Sequence, residues 1–426
     1  MTQTGASAGA SDASRLFDLL TGQPEWIHRR VDRTDLESDG ETTRRISFDL
    51  TVSDDLAIRR SGGVVTPLTL MTKVPLRRLD TVGPDGRPLP VFGRQDNGEL
   101  VAAMLIEAFE RLLVGGVTAV VREAIGAAVM ANDPDRMDLA VARVRAAVEA
   151  APTSDPDQVA AVLALTSDLV SSFLFAVLLP LDYVDRRVVI KVAVTEEVTG
   201  RFSDWALSQE GRSMDLVLSL ADAAASAHFE FRAPVGLRVA SVTLLDEHDE
   251  PLPVPGPHID GGSTAHLTGL HELAPANGSG VRARVQLEPV ADGIVRQTCF
   301  ATVFVAVLLL VGAARAEVVR AALEANRGGA VAAAALAVPA LFLSVQARTP
   351  EHAWVARALF LPRLLNITTA LLLYAVAIVL VTVPADARAL TAILWGSFVA
   401  QALIAAVATR LLRVVSAAPP TVQHTT

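Results

Sequence analysis

The sequence contains a single cysteine, Cys299, so the chain cannot form an internal disulfide. That fits a reducing compartment, or one that makes no demand for disulfides. Lysine is almost as scarce, because Lys73 and Lys191 are the only two and arginine supplies nearly all the positive charge. This bias, together with abundant alanine and valine, indicates a GC-rich genome and carries no functional information.

The chain also lacks an excess of positive charge. It has 37 Lys and Arg against 46 Asp and Glu, which gives a formal net charge of −9, and no stretch forms a basic stripe. Proteins that bind nucleic acid use clustered Lys and Arg to neutralise phosphates. The sequence therefore predicts no nucleic-acid partner.

Residues 1–14 lack the basic patch and apolar core of a secretory signal peptide. They are small and polar, which predicts a disordered tail. A soluble region without such a leader is expected to stay where it is synthesised, so the N-terminal region is predicted to be cytoplasmic.

Long apolar runs are missing before residue 298 and crowd the rest of the chain. A helix needs about 20 residues to cross a hydrocarbon core of about 30 Å, and a backbone in lipid must satisfy its own hydrogen bonds. The sequence therefore predicts a multi-pass membrane protein with a four-helix transmembrane bundle over residues 298–412 and a short tail over 413–426. The four charge-free runs are about 298–314, 328–345, 364–383 and 390–407.

Arginines beside these runs favour one orientation. Short cytoplasmic loops are enriched in Lys and Arg, and the side that the N-terminal region shares holds more of them. We therefore expect a cytoplasmic N-terminal region and C-terminus. That side would hold Arg296, Arg348, Arg357, Arg363, Arg410 and Arg413, and the opposite side Arg315, Arg320, Arg327 and Arg388.

Residues 42–297 alternate between strand and helix signals, which predicts an α+β fold with a β-rich soluble domain. In residues 44–52 the apolar side chains recur at every second position, as on one face of a strand. Ahead of this domain, residues 1–41 are predicted to hold the tail, a short helix over 16–33 and a polar linker. Further strands are predicted at 65–79, 188–194, 228–232, 237–245 and 281–287.

A helical segment over residues 97–181 is predicted to interrupt the β-rich domain, with helices at about 99–130, 136–150 and 158–181. The third is long enough for a fifth span and nearly charge-free, apart from Asp168. An unpaired carboxylate near the middle of a bilayer costs about 2.5–3.5 kcal/mol. A buried soluble helix is therefore the favoured interpretation, and a fifth span is the alternative.

Two segments of the β-rich domain resemble each other. Residues 86–93 and 249–256 share Pro-Leu-Pro-Val after an acidic turn. A duplicated β module is one interpretation, and chance recurrence of a strand–turn–strand joint is the other, favoured one.

Five of the eight histidines fall between residues 228 and 271, near several carboxylates, and zinc selects such ligands. Their spacings match no compact metal motif, so solvated loop residues are the expected explanation. Glycine-rich pieces at 261–264 and 278–280 lack the Lys-Ser/Thr ending of a P-loop, and no G-x-S-x-G elbow occurs. The sequence thus predicts no metal, no cofactor and no catalytic residue. The five histidines are His228, His248, His258, His266 and His271.

The connection between the second and third runs is the more informative candidate site. Thr349-Pro350-Glu351 is typical of a helix start, with Pro at the first helical position. Trp354 and the nearby arginines suit a short segment at the level of the lipid headgroups. Glu351 and His352 are alternatively placed to sense pH or to contact the N-terminal domain. The candidate interfacial or switch residues are Glu351, His352, Trp354 and Arg363.

The four runs contain no Asp, Glu, Lys, Arg or His and few polar residues. Asn366 and Gln401 are expected to form hydrogen bonds between helices. An ion-coupled transporter normally has an ionisable group within the membrane, so its absence argues against that class.

A β-rich domain followed by four transmembrane helices resembles the pentameric ligand-gated channels, in which Arg296 would match a basic residue before the first span. The chain departs from that family in its lack of paired cysteines, its helical segment and its long 315–327 connection. The favoured function is non-enzymatic: a membrane-anchored cytoplasmic domain with a regulatory, sensory or scaffolding role. Expected partners are the lipid bilayer and a protein partner or a second copy of the chain. A membrane transporter, channel or enzyme with an unrecognised site is the alternative.

Overall fold

The computed structural model has an α+β fold in which an N-terminal β-sheet region with helices precedes a set of C-terminal helices. It describes residues 6–37, 41–73, 78–197, 212–218, 224–246, 249–252, 258–260, 262–270, 281–324, 328–346, 352–382 and 387–417.

Thirteen strands within these residues form three sheets. The strands are β1 Ile27–Leu36, β2 Glu41–Leu50, β3 Ile58–Arg60, β4 Gly63–Thr72, β5 Arg78–Val82, β6 Ser172–Leu179, β7 Val188–Glu197, β8 Arg212–Leu218, β9 Ala227–Arg232, β10 Leu237–Leu245, β11 His258–Asp260, β12 Thr264–Thr268 and β13 Val281–Pro289. The largest sheet has the order β11-β12-β9-β1-β2-β7-β5, and two smaller sheets have the orders β10-β13-β8 and β3-β4-β6. Strand β1 pairs parallel with β9 and antiparallel with β2, so it joins the two halves of the large sheet.

Six helices belong to the N-terminal region: α1 Ala6–Thr21, α2 Gln23–Trp26, α3 Arg94–Leu112, α4 Ala119–Met130, α5 Pro134–Glu149 and α6 Pro156–Ser171. The predicted helix at 99–130 consists of two helices. Gly115 and Gly116 both have positive φ, and they interrupt the helix between α3 and α4. Asp133 and Asp155 cap α5 and α6 with their carboxylates, and a proline follows each cap at the first helical position.

The predicted helix over residues 158–181 is wrong in its last ten residues. Helix α6 ends at Ser171, and residues Ser172–Leu179 form β6, which pairs antiparallel with β4. Phe175, Ala176 and Val177 are successive and all buried, so this strand is covered on both faces and shows no alternation. Such a short apolar run cannot be told from a buried helix by its periodicity. A single helix across 158–181, and with it the fifth span, is excluded.

The prediction for residues 6–36 is also corrected. Residues 6–14, predicted to be a disordered tail, lie in α1, and the predicted helix at 16–33 gives way to strand β1 at Ile27. Arg30, Asp32 and Thr34 are at most 5% exposed, so the buried face of β1 is polar. A strand with a polar inner face has no hydrophobic alternation by which the sequence could reveal it.

Strands β8, β11 and β12 were not predicted. Strands β11 and β12 lie where the histidines were expected to be solvated loop residues, and both strands are short. They add to the large sheet through β9, with Leu267 opposite Phe229 in the β12–β9 register.

The two similar segments at 86–93 and 249–256 begin with the same hairpin. In each, a backbone N–H bonds to the carbonyl four residues further on, and the fourth turn residue has a left-handed φ, 80° at Gly86 and 64° at Asp249. The matching bonds are Gly83 N to Arg87 O, 2.8 Å, and Asp246 N to Glu250 O, 3.0 Å. Residues 253–257 lie outside the described residues, so beyond this turn both interpretations, a duplicated module and the favoured chance recurrence, stay untested predictions.

The C-terminal helices are α7 Ile294–Ala314, α8 Ala316–Glu324, α9 Gly328–Gln346, α10 Ala353–Ala358, α11 Phe360–Thr382 and α12 Ala387–Ala417. Three stretches within them are long and apolar enough to cross a membrane: Ile294–Ala314, Phe360–Thr382 and Arg388–Ser416. The predicted second span corresponds to α9, in which Ala333–Val345 is a shorter apolar stretch. Helix α7 packs against α11 and α12, and α9 packs against α11.

The outer surface of these helices is apolar. Phe300, Phe304, Leu371 and Leu403 are each more than 60% exposed. A soluble protein rarely exposes an apolar surface of this kind, whereas lipid chains would cover it. The structure therefore supports contact between the C-terminal helices and a lipid bilayer.

Candidate functional site: the junction of the β-rich region with the C-terminal helices

The short helix α10 lies where the β-rich region meets the C-terminal helices. His352 begins this helix, and its Nδ1 accepts a hydrogen bond from the backbone N–H of Trp354 at 3.3 Å. Its Nε2 lies 3.0 Å from the carbonyl oxygen of Leu36, at the end of β1. A neutral imidazole with its proton on Nε2 satisfies both contacts, since it has one donor and one acceptor nitrogen. His352 therefore links the connection to the large sheet.

Trp354 is 1% exposed and belongs to the core of the second half of the β-rich region. Val355, Ala358 and Leu359 enter the same core, beside Leu287 of β13. The ring is therefore covered by protein, and its position at the level of the lipid headgroups stays a prediction. The ring joins α10 to the sheet by apolar burial.

Gly236 and Arg238 make further contacts at the junction. Gly236, with a φ of 99°, lies so close to α10 that an added Cβ would stand 3.0 Å from Cγ1 of Val355. Arg238 of β10 forms an ion pair with Glu288 of β13 at 2.8 Å. The same guanidinium donates to the carbonyl oxygen of Val415 at 2.6 Å. The last turn of α12 is thus held against the smaller sheet β10-β13-β8.

A cleft of about 1,020 Å³ opens beside these contacts. Its two carboxylates are engaged with neighbours: Asp35 pairs with Arg33 and Arg45, and Asp292 pairs with Arg296. Within the residues that the structure describes, no group of three or more His, Cys, Asp and Glu is arranged to hold a metal ion. The cleft contains the backbone of Gly236, Gly262 and Gly293 and the side chains of Arg232, Arg238, Ser263 and His352.

The structure places the four residues predicted for this site in different surroundings, and it describes three of them. The structure brings His352 and Trp354 together at the junction, and Glu351 lies outside the described residues. Arg363 is part-buried in the first turns of α11, where its backbone N–H donates to Leu359 at 3.1 Å. Their roles as interfacial or switch residues stay predictions. Leu36, Gly236 and Val415 were missed, because no local pattern marks a residue whose partner is more than a hundred positions away.

Three of the five clustered histidines, His228, His258 and His266, lie on one face of the large sheet. His258 stands opposite His266 in the register of β11 and β12, and His266 Nδ1 is 3.5 Å from Glu230. His228 bonds to the hydroxyl of Ser226 at 3.0 Å. His248 and His271 lie outside the described residues.

Polar side chains meet inside the C-terminal helices at one level. Gln401 of α12 donates to the carbonyl of Thr302 on α7 at 3.0 Å and to the hydroxyl of Thr369 on α11 at 3.3 Å. The predicted interhelical bonding of Gln401 is confirmed. Asn366 is fully buried, and its side-chain nitrogen and oxygen have no partner among the described residues.

This contrast predicts opposite effects for two substitutions of similar size. Gln401→Leu should lower the free energy of unfolding by about 0.6–1.7 kcal/mol, the range for bonds between transmembrane helices. Asn366→Leu should leave stability unchanged or raise it, because it removes a buried amide without a partner. Thermal unfolding of both variants in the same detergent measures the difference. A larger loss for Asn366→Leu than for Gln401→Leu would show that Asn366 has a partner.

Comparison with known proteins adds no family to this picture, because no protein-family model matches the chain and no curated protein matches it.

Proposed function

We propose that the chain is an integral membrane protein with four spans whose β-rich N-terminal region lies in the cytoplasm and has a regulatory, sensory or scaffolding role. The packed junction around α10 is the observation on which this rests. Trp354, the His352–Leu36 bond and the Arg238–Val415 bond tie both the middle and the end of the helical part to the sheets. A change in the β-rich region would therefore reach the helices directly.

The path of the chain supports a fourth span. Helix α7 begins shortly after β13 ends at Pro289, and α10 packs back against β13. If α7 crosses the bilayer, the chain must cross again before α10. Of the two described helices in that interval, α8 has nine residues and is too short, so α9 is the candidate. Its 19 residues are close to the length that a crossing needs.

The inside of the helical part supports an anchor more than a transport path. The buried polar side chains that meet at Gln401 lie about halfway along α7, α11 and α12. Beyond them the described interior is apolar, with Leu309, Leu343 and Leu373 in one cluster. A transport path needs polar groups or water along its length, and this apolar cluster interrupts it.

Cysteine accessibility tests the arrangement of the spans. Because Cys299 is the only cysteine, Cys299→Ser gives a background in which Gly200→Cys, Asn326→Cys and Thr426→Cys each carry one thiol. A membrane-impermeant maleimide should label position 326 in intact cells, and positions 200 and 426 only after permeabilisation. The Cys299→Ser chain without a new cysteine carries no thiol and serves as the unlabelled control. Labelling of position 200 in intact cells would overturn the cytoplasmic assignment, and equal labelling of 326 and 426 would overturn the four-span count.

A further inference from the structure

A cavity of about 510 Å³ lies between α3, α4, α6 and β6, well away in sequence from the junction. This volume is within the range of small-molecule sites, about 300–1,000 Å³. Most of its wall is apolar and comes from the first core of the β-rich region, where Val101 and Leu169 are each 2% exposed. Phe173 of β6 lies beside them.

Two cations stand at this cavity. Lys73, one of only two lysines in the chain, is half-buried and donates from Nζ to the carbonyls of Val129 and Ala131, both at 2.9 Å. Arg94, exposed at the start of α3, donates to the carbonyl of Met130 at 3.1 Å. Both side chains therefore cap the C-terminal end of α4, which fixes their positions at the cavity wall.

The caps do not neutralise these charges. Carbonyl oxygens are neutral, and the end of a helix contributes only about half a negative charge. Within the described residues neither Lys73 nor Arg94 forms an ion pair with a carboxylate. Burial, and then the neighbouring Arg94, lower the pKa of Lys73 to about 8. Partial burial of an ammonium group favours an anionic partner, and the space beside Lys73 is a cavity.

We propose that this cavity binds a small organic anion with an apolar body, of the fatty-carboxylate class. The carboxylate lies between Lys73 and Arg94, each of which has N–H groups beyond those used on α4. Guanidinium and carboxylate groups form strong charge-assisted hydrogen bonds. The apolar body lies against Val101, Leu169 and Phe173. This binding does not depend on which side of the membrane the region occupies, so it stands apart from the function proposed above.

The test uses radiolabelled octanoate and the full chain in lipid nanodiscs, by equilibrium dialysis against empty nanodiscs. The wild-type chain should show one saturable site. Lys73→Met and Arg94→Gln should each weaken binding about tenfold or more, the effect of losing a charge-assisted hydrogen bond. Lys191→Met, which removes the other, exposed lysine, is the matched control and should bind like the wild type. Octanamide, which has the same apolar body without the charge, should compete only weakly with radiolabelled octanoate.

Two readouts separate binding from a purely structural cap. Arg94 is exposed, so Arg94→Gln should keep the wild-type unfolding temperature while it loses affinity, even if Lys73→Met fails to fold. Val101→Phe narrows the apolar end of the cavity. It should weaken the binding of octanoate although Lys73 and Arg94 are both still present. Absence of a saturable site in the wild type, equal affinity in Arg94→Gln and Lys191→Met, or equal competition by octanamide would each overturn the proposal.

Discussion

Trp354→Ala is expected to lower the free energy of unfolding by about 3–5 kcal/mol, the usual effect of truncating a fully buried aromatic side chain. The ring is 1% exposed and fills the space between α10 and the sheets of the β-rich region. Its removal leaves a cavity at the place where the two parts of the chain meet. The variant should therefore also uncouple them, so that the β-rich region unfolds at a lower temperature than the helices.

Scanning calorimetry in detergent measures both effects, and limited proteolysis should show faster cleavage at the connection. Trp395→Ala is the matched control, because Trp395 is 43% exposed on α12 and contacts Phe398 edge-on, with 5.8 Å between ring centroids. The free energy of unfolding of Trp395→Ala should fall by only about 1 kcal/mol, the contribution of an aromatic pair. Equal losses in the two variants would mean that the junction is not a packed core.

The sequence predicted those elements whose burial follows a simple period. Strands β2, β9 and β13 alternate between buried and open positions, as in Phe229 and Phe231, and their positions were predicted. The long apolar helices were predicted because lipid-facing and buried positions are both apolar. Elements that break the period were missed: β6 is buried on both faces, and β1 buries charged residues.

The candidate site was predictable only in its local part. The sequence predicted a helix start with its cap at Thr349 and Pro350 at the first helical position. Both residues lie outside the described residues, and the structure places the N-cap of α10 at His352. The pattern could not show the distant partners in these contacts, such as Leu36, which bonds to His352, or Val415, which bonds to Arg238. The Lys73 cavity was missed for the same reason, since its wall comes from segments as distant as Lys73 and Phe173.

Asp32→Asn is expected to lower the free energy of unfolding by about 3–5 kcal/mol, the usual effect of breaking a buried ion pair from one side. Asp32 is 5% exposed in the middle of β1, and its carboxylate accepts hydrogen bonds from Arg44 Nε at 2.8 Å and Arg30 at 3.3 Å. Loss of its charge leaves two guanidinium groups facing each other, one of them 3% exposed. Because β1 joins both halves of the large sheet, the loss should affect the whole β-rich region.

The pH dependence gives a second, independent readout of the same carboxylate. Burial by itself raises the pKa of Asp32, but the charge and hydrogen bonds of Arg44, followed by those of Arg30, outweigh it and hold that pKa below its ordinary value. A carboxyl whose folded-state pKa is depressed stabilises the fold above its unfolded pKa, about 3.9, and loses that contribution as the pH falls through the folded value. The stability difference between wild type and Asp32→Asn should therefore be constant above about pH 5 and shrink in more acidic solution.

Urea titrations between about pH 3 and 6 measure this difference, and Asp49→Asn is the control for carboxylates in general. Asp49 also has a lowered pKa, first because of its hydrogen bond to Arg187, but that guanidinium is 66% exposed. Solvent screens such a pair, so its loss should cost about 0–1 kcal/mol. A loss in Asp32→Asn no larger than in Asp49→Asn would show that water reaches the Arg30–Asp32–Arg44 cluster. A polar face would then line β1 without holding the two halves of the sheet together.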